Sequence, residues 1–217
     1  MIIEMIGPKG IGKTTTASAI AERLGIRFFR GQGFHHLDGA EMSRSDEWLD
    51  RAVSVARDPG LFIAAARVHE GAPKQRLRFA LNVCRRDRFA ERAGSEDTGV
   101  IESGPLNSLL QASASYGHDV ITELYPRTFR SNIYVRLRAP ASVVANRLES
   151  RGGVSEQRVA DHADWVERYD RWADDVLAAL DAPVVVVDAG LPPEAVVDDV
   201  VRGLGGLDVL DGLDEPR

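Results

Sequence analysis

The sequence holds one cysteine, Cys84, in 217 residues, so no disulfide can form within the chain. That suits a reducing compartment, and Cys84 is expected to be a small buried hydrophobe. Lysine is nearly as scarce: Lys9, Lys13 and Lys74 are the whole set. A basic excess is also lacking, because Asp and Glu outnumber Lys and Arg by 33 to 27, a net charge of −6. This excludes a general nucleic-acid-binding surface, which would need a basic stripe, but leaves room for a local basic pocket. No apolar run approaches the roughly 20 residues of a membrane-spanning helix. Residues 1–6 lack the basic leader and cleavage site of a signal peptide. A cytoplasmic protein without nucleic-acid or membrane partners is expected.

What is present suffices for an ordinary core. Hydrophobic residues make up 44% and charged residues 28%, usual values for a globular chain, and a chain of this length needs no disulfide or metal staple. One domain is expected over 1–205, with a weakly ordered tail over 206–217. Apolar runs at 2–6, 26–30, 99–102, 132–137 and 184–187 read as strands. Helices are expected at 13–24, 45–57, 61–69, 74–93, 105–114, 141–150, 155–180 and 193–204. Asp58-Pro59-Gly60 reads as a break, Gly25 and Gly94 as helix ends. The alternation predicts an α/β three-layer sandwich with a mainly parallel central sheet covered on both faces.

The most specific segment is Gly7-Pro8-Lys9-Gly10-Ile11-Gly12-Lys13-Thr14, which fits the pattern G-x-x-x-x-G-K-[ST] between an expected strand and an expected helix. Glycines let the backbone curl so that N–H groups converge on phosphate oxygens. The helix beginning at Lys13 adds the positive end of its dipole. Lys13 is placed to bridge the β- and γ-phosphates and the Thr14 hydroxyl to ligate Mg²⁺. Gly7, Pro8, Lys9, Gly10, Ile11, Gly12, Lys13, Thr14 and Thr15 are therefore the candidate ATP-binding residues. By chance the bare pattern arises in a chain this long on the order of one time in a hundred.

Other phosphate-loop classes are disfavoured by what is missing. Partitioning ATPases need a lysine directly after the first glycine, where this chain has Pro8. The Asn-Lys-x-Asp motif of regulatory GTPases is absent. So is the apolar run ending in Asp-Glu that marks AAA-type ATPases.

Several further residues are candidates on their chemistry. Glu102 closes an apolar strand and would sit beside the phosphate loop, where it could hold Mg²⁺ through water, orient an arginine, act as a base, or merely cap a turn. Arg30 could bind an acceptor phosphate in bidentate fashion. Arg147 and Arg151, four apart, share a helix face. His35, His36 and Asp38 do not make a metal site, because adjacent histidines diverge and other ligands are missing; a substrate-facing loop is the better reading. Trp165 and Trp172, seven apart, read as core or interface.

In the order and nature of its segments the chain resembles the thymidylate kinases, and more broadly the nucleoside and nucleotide monophosphate kinases. The resemblance is carried by residues 7–16, by Phe28-Phe29-Arg30-Gly31-Gln32-Gly33, and by Leu77-Arg78-Phe79-Ala80-Leu81-Asn82. Residues 100–108, the stretch from Tyr134 through Pro140 and Asn146-Arg147-Leu148 to Arg151-Gly152, and residues 166–169 with 184–189 continue it.

It implies a P-loop NTPase fold with a small helical lid at about 147–160, ATP and Mg²⁺ as cofactors, and a homodimer, for which no motif is visible. It implies that Arg147 lies by the adenine and that lid arginines, Arg151 among them, reach the transferred phosphoryl group; Arg158 is a further lid candidate. The chain departs from the pattern where the acceptor is read. Gly31 replaces an acidic residue that nucleoside kinases use as base, leaving Asp38 as a spare candidate. Glu102-Ser103 replaces an Asp-Arg pair, so Arg85, Arg86 or Arg88 would have to grip the acceptor. The expected function is transfer of phosphate from ATP to a nucleoside monophosphate or related small acceptor. A kinase of a nucleoside or a non-nucleotide metabolite such as a sugar or antibiotic precursor, and a non-kinase nucleotide switch, are the alternatives.

Overall fold

The computed structural model describes residues 1–30, 44–96, 98–117, 119–150 and 156–207, with only the backbone of 44–50, 96 and 156–160. Strand β1 (Ile2–Ile6) runs into the phosphate loop and helix α1 (Lys13–Leu24), and β2 (Arg27–Phe29) follows. Three helices, α2 (Arg44–Arg57), α3 (Pro59–Val68) and α4 (Pro73–Glu96), lead to β3 (Gly99–Ile101). Then come α5 (Pro105–Tyr116), a short α6 (Ile121–Leu124) and a 3-10 turn, β4 (Ile133–Arg138), α7 (Ala141–Glu149), α8 (Glu156–Ala178), β5 (Val184–Asp188) and α9 (Pro193–Gly205).

The five strands form one sheet in the order β2-β3-β1-β4-β5. Every pairing is parallel, as helical crossovers require. The phosphate-loop strand is central, with Ile3 level with both Val100 and Ile133.

Alternation along β1 divides the core. Ile3 and Met5 pack towards α1 and α9, with Ala17, Ile20, Val196 and Val200. Ile6 faces the other layer, with Leu106, Leu109, Tyr134 and Tyr169. Ile2 joins Phe29, Ile101, Ala90 and Ala93. All five residues of β1 are buried; each large aliphatic side chain there contributes roughly 1.5–3 kcal/mol. Cys84 is 2% exposed and burial pushes its thiol up to about 12, as expected of a packing residue.

The expected break at Asp58-Pro59-Gly60 is present between α2 and α3, but the second helix starts two residues early: the Asp58 carboxylate accepts the Leu61 N–H at 2.7 Å and Pro59 occupies the first turn, where its missing N–H costs nothing. Gly94 does not end α4, which continues to Glu96. Its missing side chain instead admits Phe129, since a Cβ there would come within 2.8 Å of that ring. Helix α6 was not expected. Residues 151–155 of the expected lid and 208–217 of the expected tail lie outside the described residues.

Candidate functional site

The loop between β1 and α1 is shaped by two glycines with positive φ, Gly10 at 90° and Gly12 at 107°. Side chains rarely adopt that backbone. A Cβ at Gly10 would also lie 2.7 Å from Leu148 on α7. The Lys13 side chain folds back over the loop and its Nζ donates to the carbonyls of Gly7 at 2.6 Å and Pro8 at 2.9 Å. Burial lowers its pKa to about 8, and the charges of Arg86 and Arg136 act in the same sense, while Glu102 opposes them.

Glu102, at the end of β3, is 4% exposed. Its Oε1 accepts the Thr14 hydroxyl at 2.5 Å. Its Oε2 is buried without a hydrogen-bond partner among the described residues. A carboxylate oxygen left bare beside a phosphate loop fits a divalent cation, whose preferred ligands are oxygens of this kind. Among the described residues no group of three or more His, Cys, Asp or Glu side chains could hold a metal, so an ion here would draw its remaining ligands from phosphate and water.

The other expected residues fall in different places. Arg86 on α4 reaches the loop after β3, its Nη1 donating to Ser103 Oγ at 2.9 Å and Ser108 Oγ at 2.5 Å. Burial lowers its pKa, against the pull of Glu4 and Glu102. Arg85, one position earlier and so about 100° round the helix, is itself buried at 5% exposure. Arg88 lines a separate cavity of about 300 Å³ with Ser54, Arg57, Asp58 and Asp87. Arg147 donates to the Ile11 carbonyl of the phosphate loop at 3.4 Å. Arg30 is exposed just past β2, Lys9 is exposed on the loop, and Thr15 is exposed in the first turn of α1. Asp38, Arg151 and the side chain of Arg158 lie outside the described residues, as do Gly31, His35, His36 and the side chain of Trp48.

Beneath the loop lies a buried polar layer that sequence reasoning missed. Glu4 is fully buried and burial raises its pKa to about 7. Its Oε1 accepts the Asn107 backbone N–H at 2.8 Å and its Oε2 the Ser131 hydroxyl at 3.0 Å. A Cβ at Gly104 would come within 2.5 Å of this carboxyl group. Asn107 Oδ1 accepts the Gly7 N–H at 3.2 Å and the Tyr169 hydroxyl at 2.7 Å, and its Nδ2 donates to Ser103 Oγ at 2.8 Å. Arg136, 1% exposed, pairs with Asp170 and lies over the Tyr169 ring. The one hint in the sequence was a charged residue inside an apolar stretch of strand, Glu4 in residues 2–6 and Arg136 in residues 133–137.

A family profile described as "ATPase family associated with various cellular activities (AAA)" matches residues 3–79. That stretch holds the phosphate loop and ends before β3, whose last residue, Ile101, is followed by Glu102-Ser103, so that no Asp-Glu closes the strand. No curated protein matches the sequence. Among solved structures, deoxyadenosine kinase from M. mycoides with dCMP and dCDP bound aligns with a TM-score of 0.59 at 16% identity, over 95% of this chain and 100% of that one. The YorR protein of Bacillus subtilis in complex with phosphorylated GDP aligns with a TM-score of 0.54 at 16% identity, over the whole of both chains. The chain has the α/β three-layer fold of the P-loop kinases.

Proposed function

We propose that the chain is a Mg²⁺-dependent phosphotransferase that moves the γ-phosphate of ATP to a nucleoside monophosphate or a related small acceptor. The observation that carries this reading is the convergence of Lys13, the Thr14–Glu102 pair and Arg86 on one end of the sheet. Phosphoryl transfer asks for positioning and charge neutralisation more than for covalent chemistry, and these groups supply both.

Lys13 exchanges its two loop carbonyls for β- and γ-phosphate oxygens. Thr14 and the bare oxygen of Glu102 would hold Mg²⁺, which when bound neutralises charge on the phosphates. Arg86, fixed by two serines, faces the acceptor in place of the arginine that Ser103 replaces. Arg147, against Ile11, is placed on the nucleotide side. Arg30, Asp38 and Arg85 are further acceptor-side candidates, and Arg151 a further catalytic one.

The likeness to a deoxyadenosine kinase favours a second reading, in which the acceptor is a nucleoside and a carboxylate takes the proton of its hydroxyl. Both readings are tested by ADP release with ATP, Mg²⁺ and a panel of nucleosides, nucleoside monophosphates and sugars. ADP release that depends on one acceptor class supports transfer and names the class. Release with none of them overturns the proposal in favour of a nucleotide-binding module. Lys13→Ala should cut turnover at least about a hundredfold while leaving the far-ultraviolet circular dichroism unchanged.

A further inference from the structure

We propose that Asn107 is a positioning residue that couples the acceptor-side group Ser103–Arg86 to the phosphate loop. This rests on the reading of residues 7–14 as a nucleotide site. Asn107 is fully buried in the first turn of α5, and each polar group of its side chain is used. It bonds Gly7, the first residue of the phosphate loop, across 100 positions of sequence. It bonds Tyr169 on α8. It bonds Ser103, which holds Arg86.

The orientation of this amide is fixed by chemistry. The Gly7 N–H is only a donor, so it must meet the Asn107 oxygen, and the amide nitrogen must then point at Ser103. Ser103 consequently receives two donors, Asn107 Nδ2 and Arg86 Nη1. Turning the amide over would set a donor against the Gly7 N–H inside a buried layer, where an unmade hydrogen bond is costly. The chain Arg86–Ser103–Asn107–Gly7 therefore has one stable polarity. A change at Ser103 must be felt at the first amide of the loop, although among the described residues the Ser103 side chain bonds Arg86 and Asn107 and not the loop.

The test is a double-mutant cycle read by equilibrium binding of a fluorescent ATP analogue with Mg²⁺ and no acceptor. Ser103→Ala is expected to weaken binding about threefold or more in the wild-type background, and by less than about 1.5-fold with Asn107→Leu, because interacting residues show coupling that distant ones lack. Equal weakening in both backgrounds, or none in the wild type, overturns the coupling. If Asn107→Leu does not fold, Tyr169→Phe replaces it: among the described residues Ser103 and Tyr169 are linked by hydrogen bonds through Asn107 alone, so additive effects of those two variants overturn the proposal as well. A purely structural role would lower the melting temperature without this non-additivity in binding. Failure of the wild type to bind the analogue would overturn both the nucleotide site and the coupling. Binding with additive variants would overturn the coupling alone.

Discussion

Glu4 and Lys13 sit in the same buried region with opposite charges, and burial disfavours the ionised form of each. The consequences for stability have opposite signs. Glu4 has a folded pKa of about 7 against 4.5 in the unfolded chain. Between these values the folded state holds more protons than the unfolded, so stability falls as pH rises through that window. Lys13 has a folded pKa of about 8 against 10.5. There the unfolded state holds more protons, so stability rises with pH from about 8 to 10.5. Glu4→Gln keeps an acceptor for the Asn107 N–H and removes the titration. Melting curves of this variant should lack the fall that the wild type shows between pH 4.5 and 7, a difference of a few kcal/mol at most. Glu102→Gln should raise the Mg²⁺ concentration needed for half-maximal activity about tenfold or more, read from metal titrations of ADP release. The contiguous loop could be read residue by residue because its chemistry depends on sequence neighbours. The roles of Asn107 and Glu4 could not, since their partners lie about 100 or more positions away in Gly7 and Ser131.

At the level of elements the sequence pattern was informative because each parallel strand is short, apolar and flanked by turn residues. Helix α1 was legible at both ends, from Lys13 after the last loop glycine to Gly25, whose N–H caps the carbonyls of Ala21 and Glu22 at φ 64°. Glycine and proline read as breaks hold at Gly25 and at residues 58–60 and fail at Gly94, which sits at a close packing contact with Phe129. That role depends on a neighbour outside the local window. Gly12 serves the loop through its backbone. With φ at 107° and open space beyond its Cα, the penalty for a side chain is backbone strain rather than collision. Gly12→Ala should cost about 1–3 kcal/mol, or a melting temperature lower by about 2–12 °C. Nucleotide affinity should fall with it, because the loop amides would no longer converge.

For the molecule as a whole, the fold class followed from the alternation of strands and helices, but the strand order did not. Which strands neighbour β1 is decided by how helices pack across the sheet, and no local pattern records that. With the phosphate loop at the centre, the proposed nucleotide binding would be tied to global stability. At a hundred times its dissociation constant, ATP with Mg²⁺ should stabilise the fold by about 2.7 kcal/mol, or about 5–11 °C in melting temperature for a chain of this size. Differential scanning fluorimetry measures this directly, and Lys13→Ala should lose most of the shift.

The central position of β1 also sets a schedule for synthesis. Its two neighbours are residues 99–101 and 133–138, so on the ribosome β1 must wait for about 130 more residues before both of its edges are covered. At ordinary elongation rates that is on the order of ten seconds. During it, an apolar strand and a half-formed loop stand open to solvent, to chaperones and to other nascent chains. The strand that leads into the phosphate loop is therefore made before its sheet partners and takes its final shape only after them.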